Sequence, residues 1–333
     1  VGCSASGVIG GGSEIEHEPA ISITAACLPR VTLDCWRVEA GDLGPGTAHS
    51  ERLAALAAAG AAAPQLLVLA DPFSFPTERL LRAFEHAFGT SVISGGLASG
   101  GGAPGECALF RDERLWYTGA LVLALGGDIE MITAVAQGCR PIGEPLFVSA
   151  CDGGKLVALD GRRPYDVLND IFATASAADR ALMQHSLFLG LAMRPGETRY
   201  GQGDFLVRNV LGGDAESGAL WVGANLHENQ VVQFHLRDAG TSAADLASTL
   251  AGLAGALGTR PAAGGLLFSC TGRGAGLYGV PGHDSAALHA ALGPLPLGGF
   301  FCNGEIGQVA GIPFVHGYTS AVAVFRPRGA PAA

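Results

Sequence analysis

Charge is scarce in this sequence. Asp, Glu, Lys and Arg make up 15% of its 333 residues, against about 25% in typical soluble domains, and Lys155 is the only lysine. The charge that is present sums to −10 and forms no basic stripe. That argues against a nucleic-acid partner, because phosphate binding draws on clustered Lys and Arg. Long apolar runs are missing too. The best window, residues 117–137, is interrupted by Gly126, Gly127, Asp128 and Glu130, short of the roughly 18 uninterrupted apolar residues of a membrane helix. No membrane span is expected. The eight cysteines include no C-x-x-C pair, which excludes a small disulfide framework and structural-zinc spacing and makes a reducing cytoplasm the expected setting. The nine histidines show neither H-x-H nor H-E-x-x-H spacing, so neither a metal nor a cofactor is expected. There is no basic leader followed by an apolar core, and Val1 falls inside a strand-like segment.

Glycine is what the sequence has in abundance, 51 residues of it. It follows no collagen period and alternates with Val, Ile, Leu and Phe runs, as in a folded chain. At about 150 residues per domain, two domains are expected. The segments Gly2–Gly7 and Gly95–Gly100 share G-x-x-A-S-G, an internal repeat. Leu66–Ala70 reads as a buried strand. Thr77 then caps a helix carrying Leu80, Leu81, Phe84 and Phe88, Gly89 ends it, and residues 91–94 form a second strand before a glycine loop. Residues 265–270, a helix capped by Asp284 with Leu288 and Leu292, and residues 298–302 repeat that layout. Residues 105–111, 115–125 and 129–137 read as sequential strands, the last two joined at 126–128. Residues 204–211 and 219–222 read as a hairpin with a longer loop, residues 231–237 as an alternating strand, and residues 243–257 as a helix. The turn at Asp160-Gly161 marks the boundary, with Pro164 opening the next helix. The expected fold is therefore mixed α/β. It has two related domains, 1–161 and 162–326, each a mostly antiparallel or mixed sheet flanked by helices, with duplicated β-α-β-Gly-loop units and a disordered tail at 327–333.

Four loops gather small and polar residues: 2–13, 95–105, 270–276 and 302–307. Loops at the C-terminal ends of strands are where α/β sheets place ligands, and glycine lets the backbone approach closely. The G-x-G-x-x-G run at Gly274, Gly276 and Gly279 is a poor dinucleotide site, because Pro281, Gly282 and His283 separate it from the next helix. Cys270 and Cys302 end strands beside such loops, with Arg273 and Glu305 close by. They read either as buried apolar residues or as nucleophiles that a cation or base would activate. Arg208, Gln233, Arg237 and Asp238 read as solvent-face polar residues, or as a cleft in which Arg208 grips a carboxylate.

The runs Gly2–Gly10 with Glu14 and Glu16, and Ile93–Gly100, resemble the FIST N-terminal domain. The runs 205–211, 232–238, 268–274 and 299–307 resemble the FIST C-terminal domain. Members normally carry a strand-helix-strand lead-in that this sequence lacks ahead of Gly2. No F-box, kinase or methyl-acceptor segment is visible, so it resembles a stand-alone bacterial-type member. The resemblance implies a cytoplasmic sensory module for a small ligand, such as an amino acid or another small carboxylate, with a signalling-protein partner and no established catalytic residue. The ligand is expected in a cleft between the domains, lined by Cys3, Ser4, Ser6, Gly7, Gly96, Ser99, Arg208, Cys270, Thr271, Arg273, Cys302, Asn303 and Glu305. Backbone N–H groups of residues 3–7, 95–100 and 271–274 would hold its anionic end. Arg273 or Arg208 would meet a carboxylate, and Glu305 or Asn303 an amine. An enzyme with Cys302 or Cys270 as nucleophile, or an interaction scaffold with an exposed apolar patch, are the alternatives.

Overall fold

A computed structural model of the chain describes residues 1–58, 63–89, 91–194 and 196–329. The fold is mixed α/β. The expected β-α-β units are both present. In the first, β1 (Gln65–Ala70), α1 (Thr77–Phe88) and β2 (Ile93–Leu97) place β1 and β2 parallel. In the second, β3 (Gly264–Cys270), α2 (His283–Leu292) and β4 (Leu297–Cys302) do the same. Two helix starts differ from the expected caps. Pro76 precedes the first helical residue, Thr77, and Gly282 precedes α2, so Asp284 sits inside the first turn. Gly89 closes α1 at a φ of 59°, a conformation glycine adopts without steric cost.

Each parallel pair is the centre of a six-stranded sheet, and the two sheets have matching orders. In one, Val31–Val38 and Ala120–Gly127 lead to β1 and β2, followed by the hairpin Glu305–Val309 and Ile312–His316. In the other, Glu130–Ala136 and Ser320–Arg326 lead to β3 and β4, followed by the hairpin Val8–Gly10 and Ser13–Ile15. The hairpins are exchanged: the one from the start of the chain completes the C-terminal sheet, and the one near its end completes the N-terminal sheet. The turn at 126–128 therefore joins strands of different sheets rather than a hairpin. The G-x-x-A-S-G repeat is not a structural repeat either. Gly7 leads into one hairpin as Gly304 leads into the other, and their carbonyls accept from Phe301 N–H at 3.0 Å and Leu97 N–H at 2.8 Å.

Alternation along the strands explains the layers. Leu66, Val68 and Ala70 face α1, where Leu80, Leu81 and Phe84 are buried. Each of these Leu, Val and Phe side chains contributes roughly 1.5–3 kcal/mol on full burial. Leu267, Leu297 and Phe301 face α2 and the helix Ala239–Leu257, through Leu246, Leu250, Leu253 and Leu288. Leu67, Leu69, Phe268, Phe300 and Cys302 fill the space between the sheets.

Those sheets form one compact unit, residues 1–136 with 246–333, and residues 137–245 form a second. The second is a closed antiparallel barrel of Arg140–Asp152, Lys155–Leu159, Leu220–Val222, Phe205–Gly213, Leu187–Ala192 and Val231–Leu236 around Val148, Leu156, Leu189, Val232 and Phe234. Gly161 lies within it, in the connection to the helix Pro164–Thr174. The strand Val231–Leu236 is buried along its whole length instead of alternating. His235 packs edge-on to Phe205 at 5.0 Å, where a side chain at Gly190 would strike it, and burial pushes its imidazole down to about 4. Residues 105–108 and 117–119 are loops flanking the hairpin Leu109–Arg111 and Arg114–Trp116. Of the expected disordered tail, 327–329 are tied down: Arg328 donates to Asp128 at 3.1 Å and to Ile129 O at 2.8 Å. Residues 330–333 lie outside the described residues.

Candidate functional site

The C-terminal ends of β2, β3 and β4 and the segment Cys3–Gly7 meet inside the first unit, so loops that sequence assigned to two domains form one cluster. Asn303 N–H donates to Leu97 O and Thr271 N–H to Cys302 O, both at 3.0 Å. Ser99 and Gly100 N–H both reach Ser4 O at 3.2 Å, and Ser4 Oγ accepts from Ala108 N–H at 2.8 Å. Ser6 N–H donates to Ser99 Oγ at 3.0 Å, and that hydroxyl donates onward to Phe301 O. Ser99 thus bridges a gap that Asn303 spans directly at the matching place. Gly7 and Gly96 are needed for close packing, since a Cβ on either would lie 2.8 Å from Phe301 or 2.3 Å from Cys302 Sγ.

Several of the expected ligand-binding groups have partners within the protein. The N–H groups of Ser4, Ser6, Ser99, Gly100 and Thr271 all donate internally, so the loops do not present them as an anion cradle. Arg273 is 1% exposed. Its Nε donates to Asp284 Oδ2 at 2.7 Å, and its Nη2 donates to Asp284 Oδ1 at 3.1 Å and to the Tyr278 hydroxyl at 2.6 Å. Ser269 Oγ donates to the same carboxylate at 2.9 Å, and His283 Nδ1 lies 3.0 Å from it with its ring stacked on Tyr278. Burial works against charge on both Arg273 and Asp284. Their attraction outweighs it, raising Arg273 and holding Asp284 well below the usual carboxylate range. Glu305 is fully buried and accepts from Thr319 N–H at 3.1 Å and its hydroxyl at 2.7 Å. Arg208 belongs to the barrel unit, opposite Leu189, with Nη1 donating to Val207 O at 3.0 Å. In that unit Gln233 and Arg237 are buried, and Asp238 receives Arg140 and Thr241. Gln233 and Arg237 are therefore not solvent-face residues, whereas Arg208 and Asp238 are half-buried.

The thiols of Cys3 and Cys302 are held protonated. Burial, with Cys107 nearby, pushes Cys3 up to about 12. Burial and then Glu305 push Cys302 well above the ordinary range. Exposed at the surface of the cluster are Ser6, Gly100, Thr271, Gly272 and Asn303.

Sequence reading missed several partners. Glu14 Oε1 accepts from the Ser285 N–H and hydroxyl, both at 2.7 Å, in the first turn of α2. Its carboxyl is raised by burial despite those bonds. Glu16 accepts from Ala275 N–H at 2.9 Å beside Gly274, whose φ of 64° and missing side chain admit the carboxylate. The acid-rich run after Gly10–Gly12 was the available signal, because carboxylates favour helix N-termini. Asp71, fully buried after β1, accepts from Ser74 N–H at 2.8 Å. A shallow surface depression with no enclosed volume, lined by Phe84, Glu85, Ser91, Ile93, Gln308 and Pro313, lies at the start of β2, the opposite end from the loops.

Residues 1–162 match the FIST N domain and residues 164–308 the FIST C domain. An uncharacterized protein of Mycobacterium tuberculosis strain H37Rv is 36% identical over 333 residues, covering 98% of this chain and 83% of the relative. An uncharacterized protein of Mycobacterium bovis is 36% identical over 328 residues, covering 98% and 82%. An F-box/LRR-repeat protein of Arabidopsis thaliana is 24% identical over 287 residues, 74% of this chain and 53% of its own length. Among the described residues no helix is long and apolar enough to cross a membrane.

Proposed function

The chain belongs to the FIST family, whose domains are sensory and signal-transduction modules, and from that premise we propose that it senses a small polar ligand at the mouth of the loop cluster. The observation that carries this reading is the convergence of loops from both FIST domains on one exposed polar surface of Ser6, Thr271, Gly272 and Asn303. Beneath it lies a rigid hydrogen-bonded base, the second layer that a binding site needs to hold its contacts in place. The exposed hydroxyls and amide would make the direct contacts, with amino acids and small carboxylates the first class to test. Arg273 would support the loop from below rather than touch the ligand. Cytoplasmic placement and a signalling-protein partner that reads the occupied state belong to the same proposal.

A thermal-shift panel of amino acids, small carboxylates and nucleotides tests it. A ligand at about 100 times its Kd adds roughly 2.7 kcal/mol of stability. One selective hit is expected, and Thr271→Ala or Asn303→Ala should keep the unliganded Tm while losing the shift. A flat panel, or a hit unaffected by both variants, overturns the site.

A further inference from the structure

Cys270 and Cys302 are the last residues of the parallel neighbours β3 and β4, and the register pairs them directly. In-register residues on adjacent strands project from the same face. Adjacent strands run about 4.8 Å apart, inside the roughly 4.4–6.8 Å of Cα separation that a disulfide spans. Both residues carry thiols in this structure. Their surroundings differ in a way that gives each a role. Cys270 is 9% exposed and flanked by exposed Thr271 and Gly272. Gly272 N–H donates to its sulfur at 3.5 Å, and the Arg273 guanidinium lies near enough to interact with it electrostatically. A donor and a cation at one sulfur stabilise its thiolate. Cys302 is fully buried, with its thiol donating to Phe300 O at 3.5 Å and its sulfur lodged against Gly96.

We propose that Cys270 and Cys302 form a reversible disulfide on exposure to hydrogen peroxide, with Cys270 as the attacking sulfur and Cys302 as the resolving one. The Cys270 thiolate attacks a peroxide oxygen and the O–O bond breaks. An S–O bond forms, and the departing hydroxide takes up the proton that the thiol released, giving water. The Cys302 sulfur then attacks the Cys270 sulfur. The S–O bond breaks, and the leaving hydroxide takes the Cys302 proton as a second water. Two thiols are oxidised by two electrons and one peroxide is reduced to two waters. The bond would clamp the two loops that carry Thr271 and Asn303, making the proposed mouth responsive to oxidant. The chemistry goes beyond the ligand reading and does not depend on it.

The test is peptide mapping of the dilute, reduced full chain titrated with hydrogen peroxide, quenched with catalase and alkylated with N-ethylmaleimide. Tryptic cleavage after Arg273 puts the two cysteines on separate peptides. The expected result is a peptide pair linked through Cys270 and Cys302, reversed by dithiothreitol, with two of the eight thiols lost. In Cys302→Ser, a dimedone adduct on Cys270 should appear instead. Overoxidation of Cys270 with no linked pair overturns the proposal, and so does oxidation of exposed Cys27 while both cysteines stay alkylatable. The wild-type map decides alone if the variant does not fold.

Discussion

At Arg273 the type of the residue was readable and its role was not. An arginine in a glycine loop suggests a hand for an anion, yet this one lies under the loop with Asp284, eleven positions on. A charge buried to 1% exposure is tolerable only when paired, because desolvating an ion costs several kcal/mol. Removing one partner strands the other. Arg273→Ala is therefore expected to lower stability by about 3–5 kcal/mol in urea unfolding, and Arg273→Met combined with Asp284→Leu should recover part of that loss. A single variant within about 0.5 kcal/mol of wild type would show that the pair is not buried in solution. The same reasoning applies to Glu305 Oε2 and Ser99 Oγ, whose partners Thr319, Ser6 and Phe301 lie 14 or more positions away in the sequence.

At the scale of the element, β2 and β4 share a device that marks the duplication more firmly than the G-x-x-A-S-G repeat does. Gly95 has φ 148° and Gly299 φ 143°, and a Cβ at either would sit 1.9 Å from a carbonyl oxygen of the parallel neighbour, Val68 or Leu267. The obstacle is backbone and cannot rotate away. Gly95→Ala and Gly299→Ala should each cost more than about 3 kcal/mol or prevent soluble folding. Exposed Gly102, with nothing within 4 Å of its Cβ position, should accept alanine within about 0.5 kcal/mol. Equal urea midpoints for all three variants would remove this explanation of the glycines. The two β-α-β units themselves were legible because a buried strand and an amphipathic helix are patterns of near neighbours. Both cap assignments missed by a residue or more, since a cap depends on where a side chain finds its hydrogen bond.

At the scale of the whole molecule, the FIST N and FIST C segments do not coincide with the compact units. A hairpin from each end of the chain completes the sheet built mainly from the other end, and the barrel takes strands from both sides of Gly161. Residues 1–161 expressed alone lack the 305–316 hairpin and four of the six barrel strands. This fragment is expected to give no cooperative unfolding transition, whereas residues 137–245, with a closed ladder and their own core, should unfold cooperatively. Circular dichroism against urea distinguishes the two. A cooperative transition in the first fragment would mean that the hairpin exchange is dispensable.

The sequence by itself determined the class of fold, the two strand-helix-strand units, the glycine loops at their exits and the family, because each rests on local periodicity or on residues in fixed order. Only the tertiary structure decided which hairpin joins which sheet, where the barrel closes, and that Ser4, Ser99 and Arg273 serve the protein's own backbone and carboxylates. Those outcomes depend on which distant groups must be covered or paired once water is removed, and a one-dimensional pattern does not carry the identity of a partner two hundred residues away.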